Sequence, residues 1–297
     1  MTQSRSAARG SALERARLSY LAACELDVAV RKPGNVSRAS AGHGMQAALF
    51  VASANASVGP MFGPGARVGD RIEAAVAATA AAAGCNTNLG IVLLCAPVAR
   101  AVELYPEAAD PAALRTAIEA VLADLDVDDA RAAYRAIAQA RPGGLGSAPA
   151  EDVHGTPSLD LRAAMALAAD RDSIARLYRD GYSELFALGL PPLSSTRPSI
   201  GEDGSVPAAV ASAVQRVYLS FLASRPDSHI VRKHGAALAH SVMRSAQPWS
   251  ARASAGENLD ADPGFAAWDV ELKAAGLNPG TSADFTVAAL FVAGIVS

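Results

Sequence analysis

The sequence predicts an all-α protein: a compact single domain of many helices whose polar interhelical turns converge on one pocket. Apolar residues recur at helical spacing in nearly every segment with a clear pattern, and no stretch alternates apolar and polar residues as a half-buried strand does. Hydrophobic residues make up 51% of the chain and aromatic residues only 5%, because much of the apolar content is alanine. Alanine is the best helix former, and its small side chain lets helices pack closely.

The predicted helices follow one another along the whole chain. The first covers residues 12–30 and carries Glu25 on its apolar stripe, with Lys32 close enough in sequence to be its partner. The others are predicted over 45–58, 69–83, 89–103, 111–124, 127–140, 158–169, 172–188, 207–223, 228–244, 263–275 and 281–295. The connections at 141–149 and 191–207 are rich in Pro, Gly and Ser, and this composition predicts loops.

Charge and apolar run lengths exclude several classes of protein. The formal net charge is −3 and no basic run is present, which argues against nucleic-acid binding. No signal peptide is recognisable, and apolar runs such as 89–98 are too short to span a bilayer. We therefore expect a soluble, cytoplasmic protein with a disordered start over residues 1–10 and one helical domain over 11–297.

The three cysteines, Cys24, Cys85 and Cys95, show no Cys-x-x-Cys spacing. Their pattern favours buried small side chains over disulfides or metal ligands, in keeping with a reducing compartment. Alanine-rich helix faces would also suit a homodimer. The sequence contains no phosphate-binding Gly-x-x-x-x-Gly-Lys-Ser/Thr loop, no His-Glu-x-x-His and no Gly-x-Ser-x-Gly, so P-loop, zinc protease and esterase functions lose support.

Two polar turns in the first third of the chain are candidate anion sites. Lys32-Pro-Gly34-Asn35 closes the first helix with a shaped turn and is followed by His43; such a turn can aim N–H groups at an anion while Lys32 adds a charge. A simple helix stop with an exposed lysine would explain it too. Asn86-Thr87-Asn88 stands between two apolar helices, where it can cap the second helix or hold a phosphate at its N-terminus.

Two further clusters lie towards the C-terminus. Asp227 precedes a helix on which His229 and Lys233 share a face, an arrangement that suits a polyphosphate and a divalent cation, or simply a solvated surface. In Asn278-Pro-Gly280-Thr-Ser-Ala-Asp284, the carboxylate is explained by its position near a helix start. The rigid Asn-Pro-Gly turn is not explained in that way.

These segments together resemble the triphosphoribosyl-dephospho-CoA synthase family, which serves prosthetic-group synthesis for citrate lyase and malonate decarboxylase. The segments that carry the resemblance run in family order, and they are Lys32–Val36, His43–Met45, Val68–Ile72, Gly84–Ile91, Arg171–Ala175 and Asn278–Asp284. The resemblance implies an all-α ATP-dependent transferase. In its reaction a ribose hydroxyl of dephospho-CoA attacks C1′ of the ATP ribose, and adenine is displaced through an oxocarbenium-like state.

The resemblance also suggests roles for the polar residues. Asp227, Asp284 and His43 are candidate catalytic groups, and Asp227 and Asp284 are candidate Mg²⁺ ligands. The candidate substrate and phosphate ligands are Lys32, Gly34, Asn35, Asn86, Thr87, Asn88, His229, Lys233, Asn278 and Gly280. ATP and dephospho-CoA, or a related acceptor, are the expected small-molecule partners.

Three departures from the family pattern indicate a divergent subgroup. His43-Gly-Met replaces His-x-Asp-Met, Asn86-Thr-Asn-Leu-Gly replaces Asn-Thr-His-Lys-Gly, and Arg232-Lys-His-Gly replaces an Arg-Gly-Gly pattern. Two alternatives therefore stay open. One is the same chemistry on another acceptor, such as a pterin-type one-carbon carrier precursor, and the other is a protein that binds a nucleotide or CoA-like ligand without turnover.

Overall fold

The computed structural model describes the backbone of residues 2–201 and 203–296, and the side chains of that range from residue 9 onward. Within these residues the regular structure is helical, with two isolated bridges, Ser37–Ser40 and Gly42–Met45, and no strand. The α-helices are α1 (Thr2–Ala29), α2 (Ala47–Met61), α3 (Val68–Ala83), α4 (Leu89–Leu104), α5 (Pro111–Ala123), α6 (Val127–Ala140), α7 (Leu161–Ala168), α8 (Ser173–Arg179), α9 (Ala208–Ser224), α10 (Ser228–His234), α11 (Ala236–Ser254), α12 (Pro263–Ala274) and α13 (Gly280–Val296). The all-α prediction is confirmed.

Helix α13 forms the centre of the core. It is apolar on all sides, and α1, α4 and α9 pack around it. The first and last helices lie side by side, where the hydroxyl of Ser19 donates to the carbonyl of Phe291 at 2.9 Å. Edge-to-face contacts among Tyr20, Phe62 and Phe291 fill the same region. The two ends of the sequence are thus joined in one core.

Helix α4 contains a proline that a tyrosine compensates. Pro97 has no N–H, so the carbonyl of Leu93, four residues earlier, has no partner within the helix. The hydroxyl of Tyr178, from α8, donates to that carbonyl at 2.6 Å, and Tyr182 donates to the next one, Leu94, at 2.8 Å. Both tyrosines are fully buried. They attach α8 to the wall of the core.

Aspartates set the N-terminal ends of many helices. Each accepts hydrogen bonds from the free N–H groups of the first turn, as N-cap residues do. The capping aspartates are Asp110, Asp126, Asp160, Asp172, Asp227 and Asp262. This use of carboxylates matters for the site, because an aspartate at a helix start need not be catalytic.

Three sequence-based expectations about the elements differ from the structure. The helix predicted over 228–244 breaks at Gly235, whose φ of 87° is accessible to glycine, so that α10 and α11 are separate. The helix predicted over 172–188 ends at Arg179 and is followed by a π-helical turn, Leu185–Gly189. Cys85 is exposed, whereas Cys24 and Cys95 are buried as predicted.

The start of the chain also departs from expectation. Residues 2–10, for which the sequence predicts disorder, belong to α1; Met1 lies outside the described residues. The limits predicted for a single domain, 11–297, stay a prediction. No helix in the described part of the chain combines the length and apolarity that a membrane crossing requires.

A buried ionic network fixes the turn between α2 and α3. The guanidinium of Arg71 is fully buried and donates to the carbonyls of Met61 and Ala66 and to Glu103. Glu103 also accepts from the Gly65 N–H at 2.7 Å and from Arg100 at 2.7 Å. Arg71 belongs to the Val68–Ile72 motif, so this residue of the motif has a structural role.

Candidate active site

A cavity of about 660 Å³ opens where the polar turns meet, a size typical of small-ligand sites. Its walls come from the end of α1, the starts of α4 and α13, α6 with the loop that follows it, α7, α8 and α10. The predicted site residues that line it are Asn35, His43, Asn86, Thr87, His229, Lys233, Asn278, Gly280 and Asp284. Those that do not are Lys32, Gly34, Asn88 and Asp227.

Two polar turns from opposite ends of the chain lock together at the floor of the cavity. The Asn35 amide donates to Asn278 Oδ1 at 3.0 Å. Gly34 has a φ of 81°, and a Cβ at this position would lie 2.8 Å from Pro279 Cδ and 2.9 Å from the Leu277 carbonyl oxygen. Only glycine at position 34 therefore allows this contact.

Lys32 lies behind this floor. Its side chain is fully buried, and its ammonium is 3.0 Å from Asp27 Oδ1 and 3.0 Å from Asn35 Oδ1. The expected partner Glu25 instead pairs with Arg38, so that expectation is wrong. The Gly34 N–H donates to Asp269 Oδ1 at 2.8 Å and is not free for an anion.

His43 stands at the edge of the same turn with a φ of 55°. Its Nε2 is 2.8 Å from the Gly34 carbonyl, and since a carbonyl only accepts, Nε2 carries the proton. This hydrogen bond leaves Nδ1 as the acceptor that the ring presents to other groups. His43 can accept a proton or a hydrogen bond there.

The Asn86-Thr87-Asn88 turn divides between cavity and core. Asn86 is exposed, and its Oδ1 accepts at 3.2 Å from the N–H of Leu89, the first residue of α4. The Thr87 hydroxyl contacts that of Ser53 at 2.5 Å. Asn88 is buried away from the cavity, with its amide 3.4 Å from Ser57 Oγ. Two of the three polar side chains thus remain at the site.

Asp284 is the cavity carboxylate without a hydrogen bond or ion pair among the described residues. It sits one turn inside α13, against Gly90 at the start of α4, where a Cβ would lie 2.6 Å from Asp284 Cγ. Burial raises its pKa well above the usual range, and the nearby carboxylate of Asp27 raises it further. Such a group is poised to take a proton or a cation.

Asp227 has a different environment. Its Oδ1 accepts from the N–H groups of His229 and Ile230, and its Oδ2 accepts from the N–H and the hydroxyl of Ser282, both at 2.8 Å. It is 3% exposed and faces a cleft behind α10 with about 20 Å³ of space, enough for one water. The hydrogen bonds occupy the carboxylate and join the starts of α10 and α13.

His229 and Lys233 line the cavity from α10, but they differ in charge. His229 Nε2 is buried without a hydrogen bond, and its Nδ1 side lies against Gly280. Burial, with Arg232 and Lys233 nearby, lowers the pKa of His229 to about 3, so the ring is neutral at physiological pH. Lys233 is exposed over Gly143. Only Lys233 of this pair brings a positive charge.

Comparison with known proteins identifies the family. A family model described as CitG, ATP:dephospho-CoA triphosphoribosyl transferase, matches residues 14–297. The chain belongs to this family. It is a transferase with the ATP:dephospho-CoA triphosphoribosyl transfer activity that the sequence predicts, and the predicted family resemblance is confirmed.

One solved structure adds support for the fold of this triphosphoribosyl transferase. The crystal structure described as a candidate triphosphoribosyl-dephospho-CoA synthase from Archaeoglobus fulgidus superposes with a TM-score of 0.59 and 18% sequence identity. The match covers 84% of this chain and 98% of the archaeal one. No curated protein sequence matches the chain significantly.

Sequence reasoning missed one wall of the transferase cavity. The Gly- and Pro-rich segment 141–149 was interpreted as a plain connection, yet residues between 141 and 153 line the site and bring Arg141 to it. Arg171 and Arg232 line the cavity as well, the latter 3.2 Å from Asp172 Oδ2 and 3.2 Å from the Gly143 carbonyl. Arg171 begins one of the family motifs, and that position was the available signal.

Asp27 is the other missed residue. It lies in the last turn of α1, is 3% exposed and lines the cavity of the transferase near Asp284. A single carboxylate inside a long helix carries no sequence signal of function. Only the fold brings it to the site.

Proposed function

We propose that this cavity binds the triphosphate of ATP along its basic wall and places the ribose of ATP next to a ribose hydroxyl of dephospho-CoA. One observation carries the proposal: a half-buried carboxylate, Asp284, which forms no hydrogen bond or ion pair among the described residues, lines the same cavity as Arg171, Lys233 and the locked Asn35–Asn278 turns. Cations suit the phosphates, and neutral amides suit sugar hydroxyls.

The basic wall is assigned to the triphosphate. Arg141, Arg171 and Lys233 are exposed side chains at the cavity, and Asn86 and Thr87, just before α4, add polar side chains to its lining. His229, being neutral, is assigned to the part of the wall that lies next to the sugar or base. Lys32 and Asn88, which lie behind the wall, are assigned to support of Asn35 and of the α4 start.

Mg²⁺ is expected to accompany the triphosphate, and the residues present fit it. The described residues contain no group of three or more His, Cys, Asp or Glu side chains able to hold a metal. Mg²⁺ bound to a nucleotide needs only one or two carboxylates, because phosphate oxygens and waters complete its shell. Asp284 fits this need, since its carboxylate lines the cavity and forms no hydrogen bond or ion pair among the described residues. When bound, the ion would offset the negative charge of the triphosphate.

Asp227 is assigned to structure in this proposal. Its hydrogen bonds to the starts of α10 and α13 leave no reason to assign it a metal or a proton. The residue instead holds His229 and Asp284 at their places. A homodimer and a cytoplasmic location remain predictions that the transferase activity does not require.

An adenine-release assay tests the function. The purified protein with ATP, Mg²⁺ and dephospho-CoA should release adenine, measured by chromatography, and Asp284→Ala and Asn86→Ala should abolish the release without loss of helicity. Asp128→Ala, at an exposed carboxylate outside the cavity that pairs with Arg131, is the matched control. Adenine release only with another acceptor, or ligand binding without adenine release, would replace this proposal with one of the two alternatives.

A further inference from the structure

The position of Asp27 is unfavourable for folding on its own. The carboxylate lies in the C-terminal turn of α1, where the helix dipole disfavours negative charge. Asp27 is also buried, and it lies close enough to Asp284 of α13 for its charge to raise the pKa of Asp284. Helix stability therefore does not account for an aspartate at this position, while its place in the cavity wall does.

Lys32 compensates for the buried charge and fixes its direction. Its ammonium donates to the backbone carbonyl of Asp27 and to Asn35 Oδ1, and it lies 3.0 Å from Asp27 Oδ1. Among the described residues no other group forms an ion pair with Asp27. Asn35, which accepts from this ammonium, in turn donates to Asn278. The position of the ammonium is therefore fixed by the two turns at the floor of the cavity.

We propose that Asp27 is the general base that accepts the proton of the attacking ribose hydroxyl, and that Lys32 is a positioning residue that holds Asp27 in place for this role. The inference rests on the proposed function. Asp27 and Asp284 then have separate tasks, because Asp27 forms an ion pair with Lys32 whereas Asp284 forms none among the described residues.

The chemical step balances with these groups. The hydroxyl oxygen of dephospho-CoA forms a bond to C1′ of the ATP ribose while the bond from C1′ to the adenine nitrogen breaks, and that electron pair leaves with adenine. The hydroxyl proton passes to a carboxylate oxygen of Asp27. The departing adenine takes one proton from water, which leaves a hydroxide. Asp27 later gives its proton to the solvent and neutralises that hydroxide, so protons and charge are conserved.

The first test is Asp27→Asn, which keeps the shape and removes the base. We expect kcat to fall by about 10²–10⁴-fold, the range typical of a general base, with the affinity for ATP and Mg²⁺ unchanged. Formate should restore part of the activity of Asp27→Ala by accepting the proton in the vacated space. Asp129→Asn, a buried carboxylate outside the cavity, is the matched control and should keep wild-type kcat.

The second test is a double-mutant cycle on kcat. If Lys32 acts through Asp27, Lys32→Met should lower kcat in the wild type but have no further effect in Asp27→Asn. A purely structural lysine would lower kcat equally in both backgrounds, which would overturn its assignment. The double variant carries no unpaired buried charge, so it offers a folded protein even if Lys32→Met alone unfolds.

Two results would overturn the assignment of Asp27. One is Asp27→Asn with wild-type kcat, and the other is Asp27→Asn that has lost ATP binding, which would make Asp27 a ligand-binding group. In both cases the wild-type protein still releases adenine. A wild-type protein that releases none contradicts the proposed function instead.

Discussion

Both the backbone amide and the hydroxyl of Ser282 donate to the same oxygen of Asp227, each at 2.8 Å. The other oxygen of Asp227 caps α10, so one carboxylate fixes the starts of two helices that are 52 residues apart at His229 and Thr281. His229 follows this point on α10, and Asp284 follows it on α13. The geometry of the cavity thus depends on a residue that does not face it.

Asp227→Ala should act first on stability. Loss of an N-cap costs about 0.5–2 kcal/mol, and the two donors of Ser282 would be buried without a partner, so we expect the free energy of unfolding to fall by about 2–4 kcal/mol. Urea unfolding followed by circular dichroism measures it. Asp160→Ala removes an N-cap side chain that accepts a single hydrogen bond, from the Ala163 N–H, and should cost about 1 kcal/mol. If Asp227→Ala keeps wild-type stability but loses turnover, Asp227 has a catalytic role and the structural assignment is wrong.

Gly90→Ala should lower turnover by displacing Asp284. The new methyl group would overlap the carboxylate and lie 3.0 Å from Ile174 Cδ1, so the side chain of Asp284 must move. We expect kcat to fall at least about 10-fold, since small displacements of reacting groups are costly. Adenine release and a thermal melt would separate this effect from unfolding.

Gly10→Ala is the control for Gly90→Ala. Gly10 is an exposed residue of α1, and a Cβ there would have nothing within 4 Å. The substitution should raise stability by about 0.5–1 kcal/mol, because alanine is the better helix residue, and leave kcat unchanged. If Gly90→Ala behaves in the same way as Gly10→Ala, the close contact with Asp284 has no catalytic role.

Removing the cations of the basic wall should weaken ATP binding. Arg171→Ala and Lys233→Ala are each expected to raise the KM for ATP about 10- to 100-fold, since a hydrogen bond to a charged group contributes roughly 1.5–3 kcal/mol. Steady-state kinetics at fixed Mg²⁺ and ionic strength measures the change. Arg244→Ala, an exposed arginine outside the cavity, should have no effect. If Arg171→Ala and Lys233→Ala have the same KM for ATP as Arg244→Ala, the triphosphate does not bind along this wall.

Glu103→Gln should destabilise the protein in a pH-dependent way. Burial opposes ionisation of Glu103, but hydrogen bonds from the Gly65 N–H and the arginines outweigh it and lower its pKa. The stabilisation is therefore complete above the unfolded pKa of about 4.3 and is lost as the pH falls through the lower folded value.

Urea unfolding of wild type and Glu103→Gln between pH 3 and pH 7 tests this. At pH 7 the variant should be less stable by about 3–5 kcal/mol, because the charge of Arg71 is left buried without its partner. The difference should begin to shrink as the pH falls below about 4.3, where the unfolded wild-type chain takes up a proton that folded Glu103 does not yet bind. A difference that is constant with pH would mean that packing, not charge, sets the cost.

The sequence predicts the fold class and most helices because these depend on local signals. Apolar spacing, alanine content and capping aspartates act within a few turns of helix. The polar turns at Gly34 and Pro279 were recognised for the same reason, since Pro-Gly pairs constrain the backbone wherever they occur. Their contact with each other is a tertiary fact that no local pattern encodes.

The site was harder to predict where the direction of a side chain decides its role. Lys32 follows a helix end, and its burial depends on Asp27 and on Tyr218 of α9, whose hydroxyl donates to the Pro33 carbonyl at 2.6 Å. The segment 141–153 has the composition of a surface loop, which indicates irregular backbone but not what it covers. Asp227 had the right chemistry for catalysis, but its hydrogen bonds to two helix starts hold it behind the wall.

The side-by-side packing of α1 and α13 has a consequence for how the enzyme is made in the cell. During synthesis the ribosome releases α1, with Asp27, long before it reaches Asp284, so a nascent chain has half of the site and none of its central helix. Catalytic competence must then come in one late event, when α13 enters the space that the earlier helices leave for it. Until then the apolar groove that awaits α13 is exposed, and it is the surface that a chaperone would meet.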